Sequence, residues 1–302
     1  MKTIEEILAE RPNTDPSQLV QYVGTVEAYD KWAGVYDTDG NFLQRLDTIE
    51  MRALLPIFLD RVHARFQAPA PAKSAARLTL LDLGCGTGRN TIQLLEALAQ
   101  YQKQNQTDAT SAPEVNIVGL DASPGMLEVA QSAIQSAVQR DDLKNSPEVS
   151  LGIIDLLQPA TTRAQLPPAL QSSGAAGVIS TLVLEHIPAK EFFQAASATM
   201  LPGGYLLVTN MHADMGMRSQ AGFTDPHTGI KIRPTSYCHS ISEVLAAAEQ
   251  TGFLVEDIVG QDGQNGVLER DVDERLVEKL GARAKKWVGI RVWFGICFSK
   301  KT

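Results

Sequence analysis

The sequence predicts an α/β protein built on a doubly wound, mostly parallel sheet of about seven strands. Between residues 76 and 302, short apolar runs alternate with amphipathic helical segments, and this alternation is typical of parallel sheets covered by helices on both faces. The chemically distinctive residues also follow strand ends: a glycine turn at 84–88, then Asp121 and Asp155. Because the carboxyl ends of parallel strands meet at one sheet edge, we expect a ligand site there.

Composition and charge narrow the class of protein. The 302 residues are 44% hydrophobic and 21% charged, which provides enough apolar material for a large core. With 27 basic and 35 acidic residues the net charge is −8, and this balance argues against nucleic-acid binding, which requires clustered Lys and Arg. The start of the chain is amphipathic and acidic rather than signal-like, and no apolar run approaches roughly 18 to 20 residues. We therefore expect a cytoplasmic protein without a membrane span.

The three cysteines form neither a disulfide framework nor a metal pattern. Cys85, Cys238 and Cys297 are far apart, and no Cys-x-x-Cys pair or His/Cys cluster accompanies them. We expect no bound metal. Cys85 lies inside the glycine turn and is predicted to be a small buried residue rather than a nucleophile.

Residues 1–75 are predicted to form an N-terminal helical extension. Apolar residues fall at helical spacing in three segments, of which the middle one includes 19–26 and the last runs from Phe42 to Phe66 with a break or kink at Pro56. An Ala/Pro-rich linker at 68–74 follows. The stretch from residue 29 to residue 41 is dense in aromatic and acidic residues, for which core packing is the alternative to a functional role.

The elements after the extension alternate regularly. Each apolar run is followed by a segment with apolar residues at three- and four-residue spacing. Ser123 and Pro124 are typical of a helix start, as N-cap and first helical residue. Residues 102–114 are polar, and 211–239 have no clear period. The predicted strands are 78–83, 115–121, 148–155, 176–181, 205–210, 253–259 and 289–298, and the predicted helices are 89–101, 124–138, 189–200, 240–250 and 272–287.

The glycine turn in Leu-Asp-Leu-Gly-Cys-Gly-Thr-Gly, residues 81–88, indicates an adenosine-type cofactor. Glycine is needed where the backbone takes positive φ or passes close to a ligand, and the following helix points free N–H groups at the turn. The third glycine comes one residue too early for the Gly-x-Gly-x-x-Gly pattern of dinucleotide enzymes. Asp82 is poorly placed beside a pyrophosphate and acceptable beside an ammonium group.

This turn, together with the strand-end Asp121, resembles the class I S-adenosylmethionine-dependent methyltransferases, which have a Rossmann-like fold. The resemblance implies S-adenosylmethionine as cofactor, S-adenosylhomocysteine as its product and an antiparallel last strand. It also implies that Asp121 accepts hydrogen bonds from the ribose hydroxyls. The other implied cofactor-binding residues are Tyr36, Asp82, Gly84, Cys85, Gly86, Ala122, Met126, Asp155, Leu156 and Thr181.

The resemblance further implies a small organic acceptor with an oxygen, nitrogen or sulfur nucleophile. The residues after Tyr29 resemble the N-terminal lid of the small-molecule, methyltransferase 11/25-like members, and 211–239 would roof the acceptor. We expect a role in specialised metabolism. His212 and His239 are the candidate general bases, and the expected acceptor-binding residues are Tyr29, Trp32, His212 and Tyr237.

Two departures from the family pattern leave other classes of protein open. Asp121 follows Gly84 by 37 residues instead of roughly 20, which an insertion at 102–114 explains. The fourth strand begins with Ala and Gly at 175–177, where an acid is common. A nicotinamide-dependent oxidoreductase and a non-catalytic S-adenosylmethionine-binding partner protein are the alternatives. The sequence leaves the oligomeric state open.

Overall fold

The computed structural model describes residues 3–9, 20–66, 78–104, 114–144, 146–158, 166–172, 174–258 and 265–302. The predicted linker at 68–74 and most of the predicted insertion at 102–114 lie outside the described residues. Within the described part of the chain, no helix is long and apolar enough to cross a membrane.

The helices and strands alternate along most of the chain. The described helices are α1 (Ile4–Ala9), α2 (Thr25–Trp32), α3 (Phe42–Phe66), α4 (Arg89–Gln104), α5 (Pro124–Ala137), α6 (Pro168–Ser172), α7 (Ala189–Thr199), α8 (Ala213–Gly216), α9 (Ile241–Gln250) and α10 (Glu274–Leu280). Short 3-10 helices occupy Ala33–Val35, Leu184–His186 and Ala282–Trp287. The described strands are β1 (Val20–Val23), β2 (Leu78–Leu83), β3 (Val115–Asp121), β4 (Val149–Ile153), β5 (Ala175–Thr181), β6 (Met200–Met211), β7 (Phe223–Thr224), β8 (Lys231–Pro234), β9 (Phe253–Glu256), β10 (Val267–Asp271) and β11 (Arg291–Lys300).

Eight strands form the main sheet, in the order β4-β3-β2-β5-β6-β11, with β9 and β10 both paired to the outer edge of β11. The strands from β4 to β6 are parallel, and β11 is antiparallel to β6, as the resemblance implied. The strand order reverses between β2 and β5, so the ligand crevice of a doubly wound sheet opens above these two strands. The predicted fold class is confirmed.

One local prediction was wrong, and one strand was missed. Residues 20–23 were assigned to a helix, but β1 pairs in parallel with β8, which itself pairs with β7, in a separate three-stranded sheet. Two valines favour the extended backbone, and the pairing partner lies more than 200 residues away, beyond the reach of local periodicity. Strand β10 was not predicted at all.

The sheet is covered on both faces. Helices α3, α4 and α5 pack on one face, where Leu46, Phe58 and Leu94 are fully buried. Helices α7 and α9 pack on the other face through residues such as Phe193 and Val244. Helix α3 continues through Pro56 and spans 25 residues, so the N-terminal extension contributes part of this layer of the core.

A buried carboxylate joins α3 to the sheet. Asp47 has no exposed surface, and its Oδ2 accepts hydrogen bonds from Arg89 Nη2 at 2.9 Å and Asn90 Nδ2 at 3.0 Å. Its Oδ1 accepts from Thr209 Oγ1 at 2.5 Å and Trp293 Nε1 at 3.1 Å. Four donors from α4, β6 and β11 therefore compensate the desolvation of one charge.

Replacing Asp47 with alanine is expected to lower the free energy of unfolding by about 3 kcal/mol, because it leaves the Arg89 charge and three buried donors without their acceptor. Urea denaturation measures the change. The control is Glu27→Gln, which removes the exposed ion pair between Lys31 and Glu27 and should leave stability unchanged within error. Equal effects of the two substitutions would show that Asp47 does not anchor α3.

Candidate active site

The glycine turn after β2 takes a backbone that other residues avoid. Gly84, Gly86 and Gly88 have φ of +80°, +54° and +82°. A Cβ on Gly84 would lie 2.2 Å from Val183 Cγ2, so this glycine is required for packing against the loop after β5. A Cβ on Gly86 would meet no atom within 4 Å. Gly86 therefore borders open space. A side chain at this position would project into that space, which we call the cradle.

Two carboxylates flank this turn. Asp82 is fully buried, and its Oδ2 accepts a 2.6 Å hydrogen bond from Thr91 Oγ1, while Oδ1 has no partner among the described residues. Burial raises the pKa of Asp82 to about 7. At the end of β3, Asp121 accepts from the backbone N–H of Gly86 at 2.8 Å and of Ser123 at 2.9 Å. Burial also raises the pKa of Asp121, against the lowering effect of these N–H groups.

The remaining predicted cofactor residues lie along the same edge with different exposure. Met126 is fully buried and packs in one cluster with Trp32, and Leu156 is nearly buried. Asp155 follows β4 and accepts from its own loop, at Leu157 N and Gln158 Nε2. Thr181 ends β5 and accepts a 2.7 Å hydrogen bond from Asn90 Nδ2. Ala122 is half-buried, and Cys85 is buried with a raised thiol pKa caused by that burial.

The segment from α2 to Asn41, which we call the lid, is fastened to this edge at two points. Asp30 Oδ1 accepts from Ser123 Oγ at 2.5 Å and from Gly125 N at 3.0 Å, at the first turn of α5. Asp37 Oδ1 accepts from Thr87 Oγ1 in the glycine turn at 3.0 Å. The acidic residues of the lid thus bind free donors at the sheet edge.

The aromatic residues of the lid pack together. Trp32 stacks on Phe223 of β7 with ring centroids 5.2 Å apart, and it lies 5.6 Å from Tyr29 and 5.1 Å from Tyr36. Burial raises the pKa of both tyrosines above the usual value, so both phenols are held neutral. Core packing and a binding role, the two hypotheses for these aromatic residues, are therefore both compatible with their positions.

A cavity of about 240 Å³ opens beneath the lid. Its walls come from the lid, the loop after β5, the segment 211–239 and the 3-10 helix at Ala282–Trp287. Leu182 stands at one wall with φ of +57°, an uncommon conformation for a branched residue that suggests strain at a functional position. The lining residues are Tyr29, Trp32, Tyr36, Asp39, Asn41, Phe42, Leu43, Leu182, Glu185, Met211, Met215, Ser219, Gln220, Ala221, Gly222, Lys231, Arg233, Arg283, Lys286 and Trp287.

The loop after β5 brings a carboxylate and a histidine to this cavity. His186 Nδ1 donates to the carbonyl oxygen of Thr235 at 2.9 Å, so neutral His186 accepts at Nε2 from the Tyr29 hydroxyl, 2.7 Å away. Glu185 Oε1 lies 3.4 Å from the same Nε2. Glu185 is buried, lines the cavity, and its Oε2 has no partner among the described residues.

The predicted general bases lie elsewhere. His212 caps α8 through Nδ1, which accepts from Asp214 N at 3.0 Å, and its Nε2 lies 2.9 Å from Glu269 Oε1. His239 donates from Nε2 to the carbonyl oxygens of Leu184 and Ile187, both at 3.0 Å. Neither histidine is among the residues that line the cavity, and neither is Tyr237, whose ring stacks near His239 at 6.0 Å.

Some site residues could not be selected from the sequence. Glu185 belongs to no motif that the sequence shows, and an acid in a loop after a strand is common. Asp47 is a different case, because the sequence does carry a signal for it. It is an acid on the apolar face of α3, four residues after Leu43 and four before Met51. Lys231 and Arg233 had no such signal, because isolated cations are common on surfaces.

The fold and this edge together define a class: proteins that hold a nucleoside-type cofactor over β2 and β3 and a second ligand under a lid. Comparison with known proteins identifies the family to which the chain belongs. A family model described as a methyltransferase domain matches residues 74–224, half of the chain. An uncharacterized methyltransferase of Emericella nidulans is 49% identical over 302 residues, covering 98% of this chain and 99% of that protein. The chain belongs to the methyltransferase family.

Solved structures agree with this assignment at the level of the fold. A S-adenosylmethionine-dependent methyltransferase from Clostridium acetobutylicum aligns with a TM-score of 0.50 and 13% identity over 91% of this chain and 99% of that chain. Magnesium protoporphyrin IX methyltransferase from Synechocystis, with bound SAH, aligns with a TM-score of 0.48 and 15% identity over 91% and 94% of the two chains. The family match, together with the sheet order and the antiparallel β11, confirms the predicted class I S-adenosylmethionine-dependent methyltransferase, and with it the cofactor of that class.

The two glycines of the turn offer a matched pair of substitutions. Gly84→Ala is expected to lower the free energy of unfolding by roughly 3 kcal/mol, because its Cβ collides with Val183. Gly86→Ala should cost only about 1 kcal/mol of backbone strain, since its Cβ enters open space, but it should weaken S-adenosylmethionine binding at least about tenfold. Urea denaturation and titration calorimetry measure the two effects. Unchanged affinity in Gly86→Ala would mean that the cofactor does not occupy this cradle.

Proposed function

We propose that this chain transfers the methyl group of S-adenosylmethionine to a small organic acceptor with an oxygen, nitrogen or sulfur nucleophile. The observation that carries the proposal is the cavity itself, whose wall includes Leu182 and Glu185 just beyond β5, at the strand-order reversal. A volume of about 240 Å³ under aromatic walls suits a modest organic molecule better than a macromolecule. A role in specialised metabolism and a cytoplasmic location stay predictions from the sequence.

The residues at the sheet edge fit the cofactor. The unpartnered Oδ1 of Asp82 has the acceptor capacity that an ammonium group requires, and the positive charge of that group would favour the ionised carboxylate, whose pKa burial raises to about 7. Gly86 leaves the space that a ligand needs. Asp121 would bind the ribose hydroxyls, exchanging the N–H of Gly86 for a ligand donor. Tyr36 would cover the cofactor from the lid, and Thr181 would lie beneath it.

The chemistry demands positioning above all. Bound S-adenosylmethionine supplies a methyl group that is already activated on a sulfonium, so the protein has to align a nucleophile and exclude water. Alignment of this kind can contribute roughly 7–11 kcal/mol. The lid is suited to both tasks, because Asp30 and Asp37 hold it on the cofactor side while Tyr29 and Trp32 form the aromatic wall on the acceptor side.

Glu185 is the best-placed proton acceptor for an alcohol or a phenol, or for an ammonium group that must lose a proton before the resulting amine can attack. Its buried Oε2 lacks a donor, and a buried acceptor without a donor is destabilised until a ligand supplies one. Tyr29 lines the same cavity, and its hydroxyl is oriented by His186. The neutral hydroxyl can therefore form a hydrogen bond with the nucleophilic atom of the methyl acceptor. His212 and His239, the bases predicted from the sequence, remain alternatives to Glu185, although neither is among the residues that line the cavity.

The proposed function is tested by comparing two cofactors. Titration calorimetry is expected to show stoichiometric binding of S-adenosylmethionine and no binding of NADH, because Asp82 opposes a pyrophosphate. Incubation with methyl-labelled cofactor and a small-metabolite extract should place the label in a product identified by mass. Tight NADH binding without a response to S-adenosylmethionine would contradict the proposal. Binding of S-adenosylmethionine without any transfer would favour the non-catalytic binding protein.

The role of Glu185 is tested with an isosteric substitution. Glu185→Gln should reduce kcat about 100-fold, because general base catalysis contributes in that range, and leave S-adenosylmethionine affinity unchanged. His212→Asn, which can still cap α8, serves as the matched variant and should retain kcat within about twofold. The reverse order of effects would transfer the base role to His212.

A further inference from the structure

Four cations line the outer part of the cavity, and the methyl transfer described above does not use them. We call Lys231, Arg233, Arg283 and Lys286 the basic cluster. The first two are alternate residues of β8, so they project from the same face of that strand. The last two are three residues apart in a 3-10 helix, where side chains at this spacing eclipse each other. The two pairs of cations thus come from two separate elements of the chain and line the same cavity.

The charge of the basic cluster is not neutralised within the described residues, where no carboxylate lies within ion-pair distance of its members. Lys231 Nζ donates to the carbonyl oxygen of Gly222 at 2.9 Å, and Arg233 Nη1 to the Tyr22 hydroxyl at 3.2 Å. Arg283 donates to the carbonyl oxygen of Asp39. All three bind neutral acceptors, which hold the side chains in place, and among the described residues only the charge of Asp39, beyond ion-pair distance, partly offsets that of Lys231.

The other contacts of the basic cluster also leave it without an ion-pair partner among the described residues. Lys286 Nζ lies 5.2 Å from the centroid of the Trp287 ring, again a neutral partner. The Nε of Arg233 is buried and has no hydrogen-bond partner among the described residues. Asp39 also lines the cavity, but its carboxylate oxygens accept from Trp32 Nε1 and Asn41 N. Burial and the neighbouring Arg233 and Arg283 lower the pKa of the Lys231 ammonium, as expected where like charges converge.

Converging cations with unsatisfied donors are arranged for an anion. Guanidinium and ammonium groups bind carboxylate and phosphate oxygens with charge-assisted hydrogen bonds, and planar aromatic walls favour an organic body attached to such a group. The cluster lies among acceptor-side residues of the cavity, whose lining includes neither the glycine turn nor Asp121.

We infer that the methyl acceptor carries an anionic oxygen acid, a carboxylate or a phosphate, which the basic cluster binds. The inference rests on the proposed function, since it names the chemical class of that function's acceptor. It places the anion at the basic cluster and the nucleophile beside Glu185, so that one molecule contacts both groups of lining residues.

Binding of matched probes tests the inference without requiring turnover. Titration calorimetry, with and without S-adenosylhomocysteine, compares 4-hydroxycinnamate with its uncharged amide and phenyl phosphate with phenol. At least one anion is expected to bind about tenfold or more tightly than its neutral partner, as one or two charge-assisted hydrogen bonds provide. The pair that shows the preference distinguishes carboxylate from phosphate. Anions that bind no more tightly than their neutral partners, including no measurable binding of any probe, would overturn the inference.

Two variants assign the preference to the basic cluster. Lys231→Met keeps an unbranched side chain only one atom shorter and removes its charge, so it should reduce the preference to about threefold or less. Lys285→Met changes an exposed lysine beside Lys286 that does not line the cavity, and it should keep the full preference. Equal losses in both variants would point to the general field of the protein instead.

The same variants separate this inference from the proposed function. If the basic cluster binds the carboxylate of the cofactor itself, Lys231→Met will weaken S-adenosylhomocysteine binding, and the inference is wrong while methyl transfer stands. If methyl-labelled product forms only from uncharged acceptors, the same conclusion follows. A preference for anions together with no cofactor binding would instead remove the proposed function.

Discussion

The arrangement of this molecule depends on one desolvated charge. Asp47 lies in the interior with four donors around its two oxygens, and these donors come from three elements that the chain order keeps apart. One of them, Asn90, also donates to Thr181 at the end of β5. The carboxylate therefore fixes the N-terminal layer to the sheet and, through Asn90, fixes the position where β5 meets the ligand crevice. Apolar packing alone would not fix the position of α3 relative to the sheet in this way, because Leu and Phe side chains form no directional hydrogen bonds.

A second constraint follows at the sheet edge, where the free donors of the glycine turn and of α5 need acceptors. Asp30 and Asp37 supply them from the lid, and Asp121 supplies one from β3. The lid is thereby held by hydrogen bonds to the same elements that would bind the cofactor. Asp30 and Asp37 therefore fix the position of the lid relative to the glycine turn and to the start of α5.

The sequence allowed the sheet edge to be predicted because its signals are local. A strand, a glycine turn and a helix start are contiguous at residues 78–90, and Asp121 and Ser123 mark a strand end and a cap within three residues. The separate pairing of β1 with β8 could not be predicted, since it depends on residues more than 200 positions apart. The same reason explains why the basic cluster was missed: its two halves lie 50 residues apart and meet only in the folded chain.

The histidines show a different limit. Their position after strand ends was sufficient to propose them as bases, but the type of residue does not reveal which ring atoms are already engaged. His212 uses both ring nitrogens, on Asp214 N and Glu269. His239 donates its N–H to two carbonyl oxygens, and its Nδ1 is buried without a partner among the described residues, but His239 does not line the cavity. A buried acceptor that remains unpartnered, as in Glu185, is only visible once every neighbouring donor has been placed.

The cavity is polarised as a consequence of these placements. Glu185 places a carboxyl group beside the end of β5, and the basic cluster places four cationic side chains on β8 and on the 3-10 helix after α10. Between them lie neutral aromatic walls, including the two tyrosines whose raised pKa keeps them uncharged. A ligand with a proton donor at one end and an anion at the other is favoured in one orientation and disfavoured in the reverse one, where like charges would meet. Orientation of this kind is what methyl transfer requires, because the activated methyl group makes the alignment of the nucleophile the main task left to the protein.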